Sequence, residues 1–97
     1  MAVIYKYEMA GPFEGMDLDV HAQAEIVHFA VQGRSPYVWV STQPLHVGPR
    51  ELWFLKVIPT GQEFSLSEFE VIGSTIDGPF VWHLLKKRTA AKDSDND

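Results

Sequence analysis

The segment Phe80-Val81-Trp82-His83-Leu84-Leu85 follows a turn-like Asp77-Gly78-Pro79 near the end of this 97-residue chain. Side chains of a strand alternate between its two faces. Neither face of this segment is polar, because one carries Phe80, Trp82 and Leu84 and the other carries Val81, His83 and Leu85. A strand with one face in water shows a polar face, so this pattern predicts a strand that is covered on both sides.

The segment Arg50–Ile58 has nearly the same apolar character on both faces. A two-layer sandwich covers only the inner face of each sheet, so the outer face needs cover from Gln62–Glu68, from the Pro44–Pro49 loop or from a second protein surface. Leaving it in water costs on the order of several kcal/mol, at about 25 cal/mol per Å². We therefore expect self-association through the last strand, most simply as a two-fold dimer.

The other strand-like segments have the spacing of an all-β domain. Met16–His21 alternates strictly between apolar and polar residues, and turn residues recur at intervals of roughly ten. Ser65–Glu68 has the residues of a short helical turn, with Ser65 as N-cap. These patterns predict a mostly β fold, a compact antiparallel sandwich or small barrel of about seven strands with at most one short helix. We expect a single β-rich domain over residues 1–87 and a disordered, charged tail over residues 88–97.

Composition excludes several classes of function. The formal net charge is −5, which disfavours nucleic acid as a partner because phosphate binding needs a basic surface. The chain has no cysteine, and therefore no disulfide and no thiolate metal ligand. It has neither an apolar run of membrane-spanning length nor the pattern of a signal peptide. We expect a cytoplasmic protein that contacts no membrane and needs no cofactor.

The order of landmarks resembles a family of short, uncharacterised proteins from bacteriophages and actinobacterial genomes. The resemblance covers roughly residues 4–85, and its distinctive part is the ending Gly78–Leu84. The other similar segments are Ile4–Glu8, Val27–Gly33, Val38-Trp39, Thr60-Gly61 and Val71–Thr75. The family has no assigned activity, so the resemblance implies a phage or prophage setting in an infected or lysogenic host and a compact β fold, and it carries over no catalytic residue.

Asp17, Asp19 and His21 share one face of the predicted strand Met16–His21. Two carboxylates and an imidazole are suitable ligands for zinc, manganese or iron. Consecutive ligands on one strand lie about 6.5–7 Å apart, which is awkward for one ion, and the simpler interpretation is a strand face in water. We expect no metal site and no catalytic residue.

Two histidines, His28 and His83, lie within apolar strands. Each is interpreted as a histidine with a ring nitrogen bonded to a backbone or hydroxyl group, and a pH-sensitive interface is the alternative. If their strands are neighbours, the two rings face each other. The large aromatic residues are expected to serve core or interface packing rather than a platform for bases or sugars; they are Trp39, Trp53, Trp82, Phe54 and Phe80.

These observations favour a small protein-interaction module that self-associates and binds, and in doing so inhibits or recruits, a host or phage protein. Its binding surface is expected to be acidic and aromatic. The predicted interface residues are Trp39, Trp53, Phe80, Trp82, His83 and Leu84. The alternatives are a small metal- or nucleotide-dependent enzyme that uses Asp17, Asp19 and His21, and a virion or other structural component.

Overall fold

The computed structural model describes residues 1–11, 14–44 and 48–88 of the chain. Within these ranges the protein consists of seven strands joined by turns and loops, and it contains no helix. No described segment is therefore an apolar helix of membrane-spanning length. The strands are β1 (Val3–Glu8), β2 (Gly15–His21), β3 (Glu25–Gln32), β4 (Ser35–Thr42), β5 (Arg50–Pro59), β6 (Phe69–Asp77) and β7 (Phe80–Lys87).

The strands form two antiparallel sheets, which confirms the predicted mostly β architecture. The three-stranded sheet has the order β1-β4-β3, and the four-stranded sheet has the order β2-β5-β7-β6. Edge strands β3 and β6 pack against each other along one side of the sandwich. No backbone hydrogen bond joins these two strands in the described part of the chain, so the sandwich is not closed into a barrel.

Two tight turns are built on glycines, and the second lies at the predicted turn Asp77-Gly78-Pro79. Gly33, with φ of 65°, joins β3 to β4, and Gly78, with φ of 59°, joins β6 to β7. Glycine accepts this left-handed backbone without a steric penalty, which suits it to a two-residue hairpin turn. The β6–β7 register shifts between Val71 and Gly73, and a glycine within a strand is typical of such a bulge.

The core lies between the sheets. Alternate residues of each strand point inward, as the strict pattern of β2 predicted, and the fully covered side chains include Val20, Val38, Val40, Leu55 and Leu84. Trp82 and Ile72 pack against this cluster from its margin. The inward set comes from both sheets, so neither sheet buries its apolar face without the other.

The connection that crosses the outer face of the four-stranded sheet explains why both sides of β7 are apolar. Strands β5 and β6 flank β7 and run parallel to each other, so residues 60–68 connect them by crossing β7. This crossover begins where Thr60 N donates to the Val81 carbonyl and ends where Arg88 N donates to the Glu68 carbonyl. It passes over the outer face, since the inner face packs on the other sheet.

Two outward-facing side chains are buried in the single chain as a result. Ile58 is 2% exposed and Leu85 is 0% exposed. Phe54 adds to this cover, because its ring lies across Gly15 and approaches Phe69 with centroids 6.2 Å apart. The Gln62–Glu68 segment, one of the three predicted sources of cover, therefore lies within the crossover that shields this face.

This topology also bears on two sequence-based expectations, the association through the last strand and the short turn at Ser65. Strand β7 pairs with a neighbour on each side, so a second copy cannot extend the sheet at β7. Ser65 starts a single turn, in which its carbonyl accepts from Glu68 N and Phe69 N, and no helix follows.

The predicted tail and loop are only partly described. Arg88, assigned to the tail, is held by its backbone N and by its Nε, which donates to the Leu66 carbonyl at 2.7 Å. Residues 89–97 of the predicted disordered tail and residues 45–47 of the predicted Pro44–Pro49 loop lie outside the described ranges.

Candidate functional site: a groove between two edge strands

The predicted interface residues of β7 differ widely in exposure. Phe80 is 54% exposed and stacks on the half-buried Trp82, with ring centroids 5.8 Å apart. Leu84 is fully buried in the core, which removes it from any surface of the folded chain. Within β7, therefore, the start of the strand is the part that offers an aromatic surface to a partner.

His83 is bonded through both ring nitrogens on the outer face of the four-stranded sheet. Its Nε2 lies 2.7 Å from Thr60 Oγ1 and its Nδ1 lies 2.6 Å from Ser74 Oγ. This confirms the interpretation of His83 as a histidine bonded to hydroxyl groups. These bonds join β7 to the start of the crossover and to β6, so His83 stabilises the fold. His28 lies exposed on β3 in the other sheet, so the two histidines do not form a facing pair. Its ring packs against Trp39, with centroids 5.0 Å apart, and has no hydrogen bond to another described residue, so the prediction of a bonded ring nitrogen is wrong for His28.

Asp17, Asp19 and His21 share the outer face of β2, but their side chains do not form a metal site. Asp19 accepts a hydrogen bond from Arg50 Nε at 3.1 Å and forms an ion pair with the same guanidinium. His21 is 6% exposed, and its Nδ1 accepts from Gln23 N at 3.1 Å. No group of three or more metal-ligating side chains is close enough to hold an ion in the described ranges.

The large aromatic residues do not share one face. Trp39 lies on the outer face of the three-stranded sheet, where Lys6 Nζ is 5.4 Å from its ring centroid and 4.3 Å from that of Tyr37. Lys6 also donates to Gln32 Oε1 at 2.6 Å, so its stem spans the middle strand of this sheet. Trp53 and Trp82 point inward instead. The aromatic surface is therefore divided among separate places.

An extended concave feature runs between edge strands β3 and β6. It consists of two cavities that share Ile26 and Ile72 in their walls. The first, of about 310 Å³, is further lined by Val27, His28, Phe29, Gly73, Ser74 and Thr75. The second, of about 390 Å³, opens at the end of the sandwich and is further lined by Ala24, Glu25, Glu51, Trp53, Glu70 and Lys86. We call the two together the groove, and the second cavity its mouth.

Bulges explain why this side of the sandwich is open. The β3–β4 register shifts between Ile26 and His28, and the β6–β7 register shifts between Val71 and Gly73. A bulge bends its strand and interrupts the regular row of backbone groups. The two bulges lie on opposite walls of the same cavity, so β3 and β6 diverge there instead of pairing. Val27, the extra residue of the β3 bulge, is 50% exposed at the rim.

The mouth is acidic and has an aromatic wall. Three acidic residues, Glu25, Glu51 and Glu70, and one lysine, Lys86, contribute to its lining. Trp53 is 6% exposed and donates from Nε1 to Glu51 Oε1 at 2.9 Å. Lys86 Nζ lies 5.2 Å from the centroid of the Trp53 ring, within reach of a cation–π interaction. Three carboxylates against one ammonium leave the mouth net negative.

Sequence reasoning identified Trp53 but not the charged residues around it. Glu51 lies on the same, inner side of β5 as Trp53 and Leu55. Lys86 lies on the same, inner side of β7 as Trp82 and Leu84. A charged residue in phase with the apolar inner face marks the place where that face reaches water. This signal is present in the sequence, and it points to the end of the sandwich where the mouth lies.

A comparison with protein families identifies one match. The family described as Domain of unknown function (DUF7352) matches residues 1–94, so the chain belongs to that family. No curated protein and no solved structure shows detectable similarity to the chain. The family match agrees with the resemblance to an uncharacterised family, and any function has to be argued from the groove itself.

Proposed function

We propose that this DUF7352 protein is a small protein-interaction module of phage or prophage type, which binds a host or phage protein through the groove. The observation that carries the proposal is the continuity of the two cavities along the unpaired sides of β3 and β6. Unpaired strand edges carry backbone donors and acceptors, which bind extended polypeptide segments. The acidic residues and the tryptophan that line the mouth support this proposal.

The walls of the groove suit an extended segment. Val27 and Ile72 supply apolar contact, and His28, Ser74 and Thr75 supply hydrogen-bonding side chains. An extended segment presents side chains alternately to two sides, so it can contact both strand walls at once. Sites for compact small molecules usually enclose most of the ligand and hold it with a few buried polar groups, whereas this groove is open along its length.

Capture from a bacterial lysate with a matched pair of variants tests this proposal. Val27 and Ile4 are both β-branched apolar residues on edge strands, and they are 50% and 61% exposed. Val27 lines the groove and Ile4 does not. We expect the tagged chain and its Ile4→Arg variant to retain the same protein from a lysate of the infected or lysogenic host, and Val27→Arg to lose it. Quantitative mass spectrometry measures the retained amounts. Equal retention by all three chains would remove the groove from the proposal.

We also propose that the chain self-associates through the outer side of β6 and the crossover. Ile76, Leu66 and Val71 are 76%, 64% and 49% exposed there. Their removal from water at about 25 cal/mol per Å² favours a second copy on this side. The groove lies between the sheets, so both surfaces are available at the same time.

A further inference from the structure

We infer that the mouth selects an extended segment carrying an arginine or lysine, whose cation takes the place of Lys86 over Trp53. The inference rests on the proposed function, since it assigns chemistry to the partner of the same groove. It goes further by naming the residue type that the partner supplies and the residue of this chain that competes with it.

Charge complementarity is the first argument. The side-chain carboxylates of Glu25 and Glu70 have neither a hydrogen-bond partner nor an ion-pair partner among the described residues. Glu51 is held by the Trp53 indole and keeps its second oxygen for another donor. Carboxylates without cationic partners, placed around an aromatic ring, attract a guanidinium or an ammonium. The negative net charge of the chain adds a long-range attraction for a basic partner.

The position of Lys86 is the second, independent argument. Its ammonium lies over the Trp53 ring, although no carboxylate of the described chain is within ion-pair distance of it. The chain therefore uses the ring face as a cation site and fills it with its own side chain. Lys86 has a long, flexible stem, so its ammonium can move to water when another cation arrives.

The groove fixes how such a cation would arrive. The two cavities meet at Ile26 and Ile72, so a segment lying against the bulges of β3 and β6 continues directly into the mouth. An arginine at its leading end reaches Trp53 while the preceding residues contact Val27 and Thr75. Recognition is thus divided between an apolar middle and a charged end.

The test uses a short peptide of alternating valine and threonine that ends in one arginine. Its counterpart carries citrulline, which has nearly the shape of arginine without the charge. Affinities are measured by calorimetry with the full chain, and the binding position is mapped from amide shifts and from the Trp53 indole N–H signal. We expect the arginine peptide to bind at least about fivefold more tightly and to shift the signals of Trp53 and of residues 26–29 and 72–75.

Lys86→Met and Lys87→Met form the decisive pair of variants. Both remove one positive charge from β7, but only Lys86 lies over Trp53. Removing the competing cation should tighten binding of the arginine peptide by roughly two- to fivefold in Lys86→Met, with a smaller change in Lys87→Met. Glu70→Gln should weaken binding by about two- to fivefold, and Glu63→Gln, on the crossover away from the mouth, should not.

The outcomes separate this inference from the proposed function. Equal affinities of the arginine and citrulline peptides, with shifts in the groove, would overturn the selection of a cation and leave the groove as the binding site. Equal tightening in both lysine variants would show that net charge alone matters, which also overturns it. If neither peptide binds, the inference that the mouth selects a basic segment is overturned. The lysate capture with Val27→Arg then tests the proposed function separately.

Discussion

Leu84 and Leu85 are adjacent leucines on opposite faces of β7, and both are 0% exposed. Leu84 belongs to the core between the sheets, and Leu85 lies under the crossover. If residues 60–68 bury the outer face as tightly as the other sheet buries the inner one, truncating either leucine leaves a cavity. We therefore expect Leu84→Ala and Leu85→Ala each to lower the free energy of unfolding by about 2–5 kcal/mol.

This cost is a large share of the stability of a chain of this length, which is about 5–15 kcal/mol. Each kcal/mol shifts the thermal midpoint of a small domain by about 4–8 °C, so each variant should melt at least about 8 °C below the parent. Urea unfolding followed by tryptophan fluorescence gives the free energies. Leu52→Ala, at a position 66% exposed on the outer face of β5, is the control and should change stability by no more than about 0.5 kcal/mol.

The same titration at two protein concentrations identifies what covers Leu85. If the crossover covers Leu85, the loss of unfolding free energy in Leu85→Ala does not depend on protein concentration. If a second copy covers Leu85, that loss rises with protein concentration. A Leu85→Ala variant as stable as the parent, beside a strongly destabilised Leu84→Ala variant, would refute the reasoning about the outer face.

Four further predictions concern other parts of the molecule. Burial, with a smaller contribution from Tyr5, raises the pKa of Tyr7 above its ordinary value, and Arg50 opposes the shift. An absorbance titration of the folded chain should therefore show a tyrosine ionisation step above about pH 10, and Tyr7→Phe should abolish that step. In the unfolded chain Tyr7 loses its proton at a lower pH than in the folded chain. The contribution of Tyr7 to stability is therefore full below about pH 10 and is lost as the pH rises through the folded pKa. His83→Ala removes two side-chain hydrogen bonds and should cost about 1–3 kcal/mol in urea unfolding, whereas an unchanged midpoint would mean that the bonds do not tie the crossover down. Light scattering should give twice the 11.0 kDa chain mass, and Ile76→Asp should give a monomer; a monomeric parent at micromolar concentration ends the proposal of self-association. Divalent metals should leave the melting temperature unchanged, and a rise of several degrees that disappears in Asp19→Ala would restore the metal-dependent alternative.

Local signals in the sequence predicted most of the strands. The strict alternation of Met16–His21 and the turn residues Gly33 and Gly78 fix strand, face and hairpin through short-range geometry. The apolar character of Phe80–Leu85 correctly indicated cover on both sides at Leu84 and Leu85, whereas Phe80 at the start of the strand is 54% exposed. These features depend on neighbouring residues, which is why they can be read without knowing the fold.

The strand order could not be predicted in the same way. Placing β7 between β5 and β6 brings Pro59 opposite Trp82 and Phe69 opposite Lys87, and no local pattern encodes these pairings. The cover of Leu85 follows from that order, so the sequence left three sources of cover open. The groove was missed for the same reason, because it depends on two bulges in different sheets. Gly73 signalled one of them, and nothing at Val27 signalled the other.

Amide hydrogen exchange of the chain, free and bound to the partner captured from lysate, tests the central claim most directly. We expect binding to slow amide exchange along the facing walls of the groove, in residues 26–29 and 72–75, and to leave exchange at the β1 edge, residues 3–8, unchanged. Slower exchange confined to residues 3–8, or an unchanged pattern in the groove, would contradict the assignment of this cleft as the binding site.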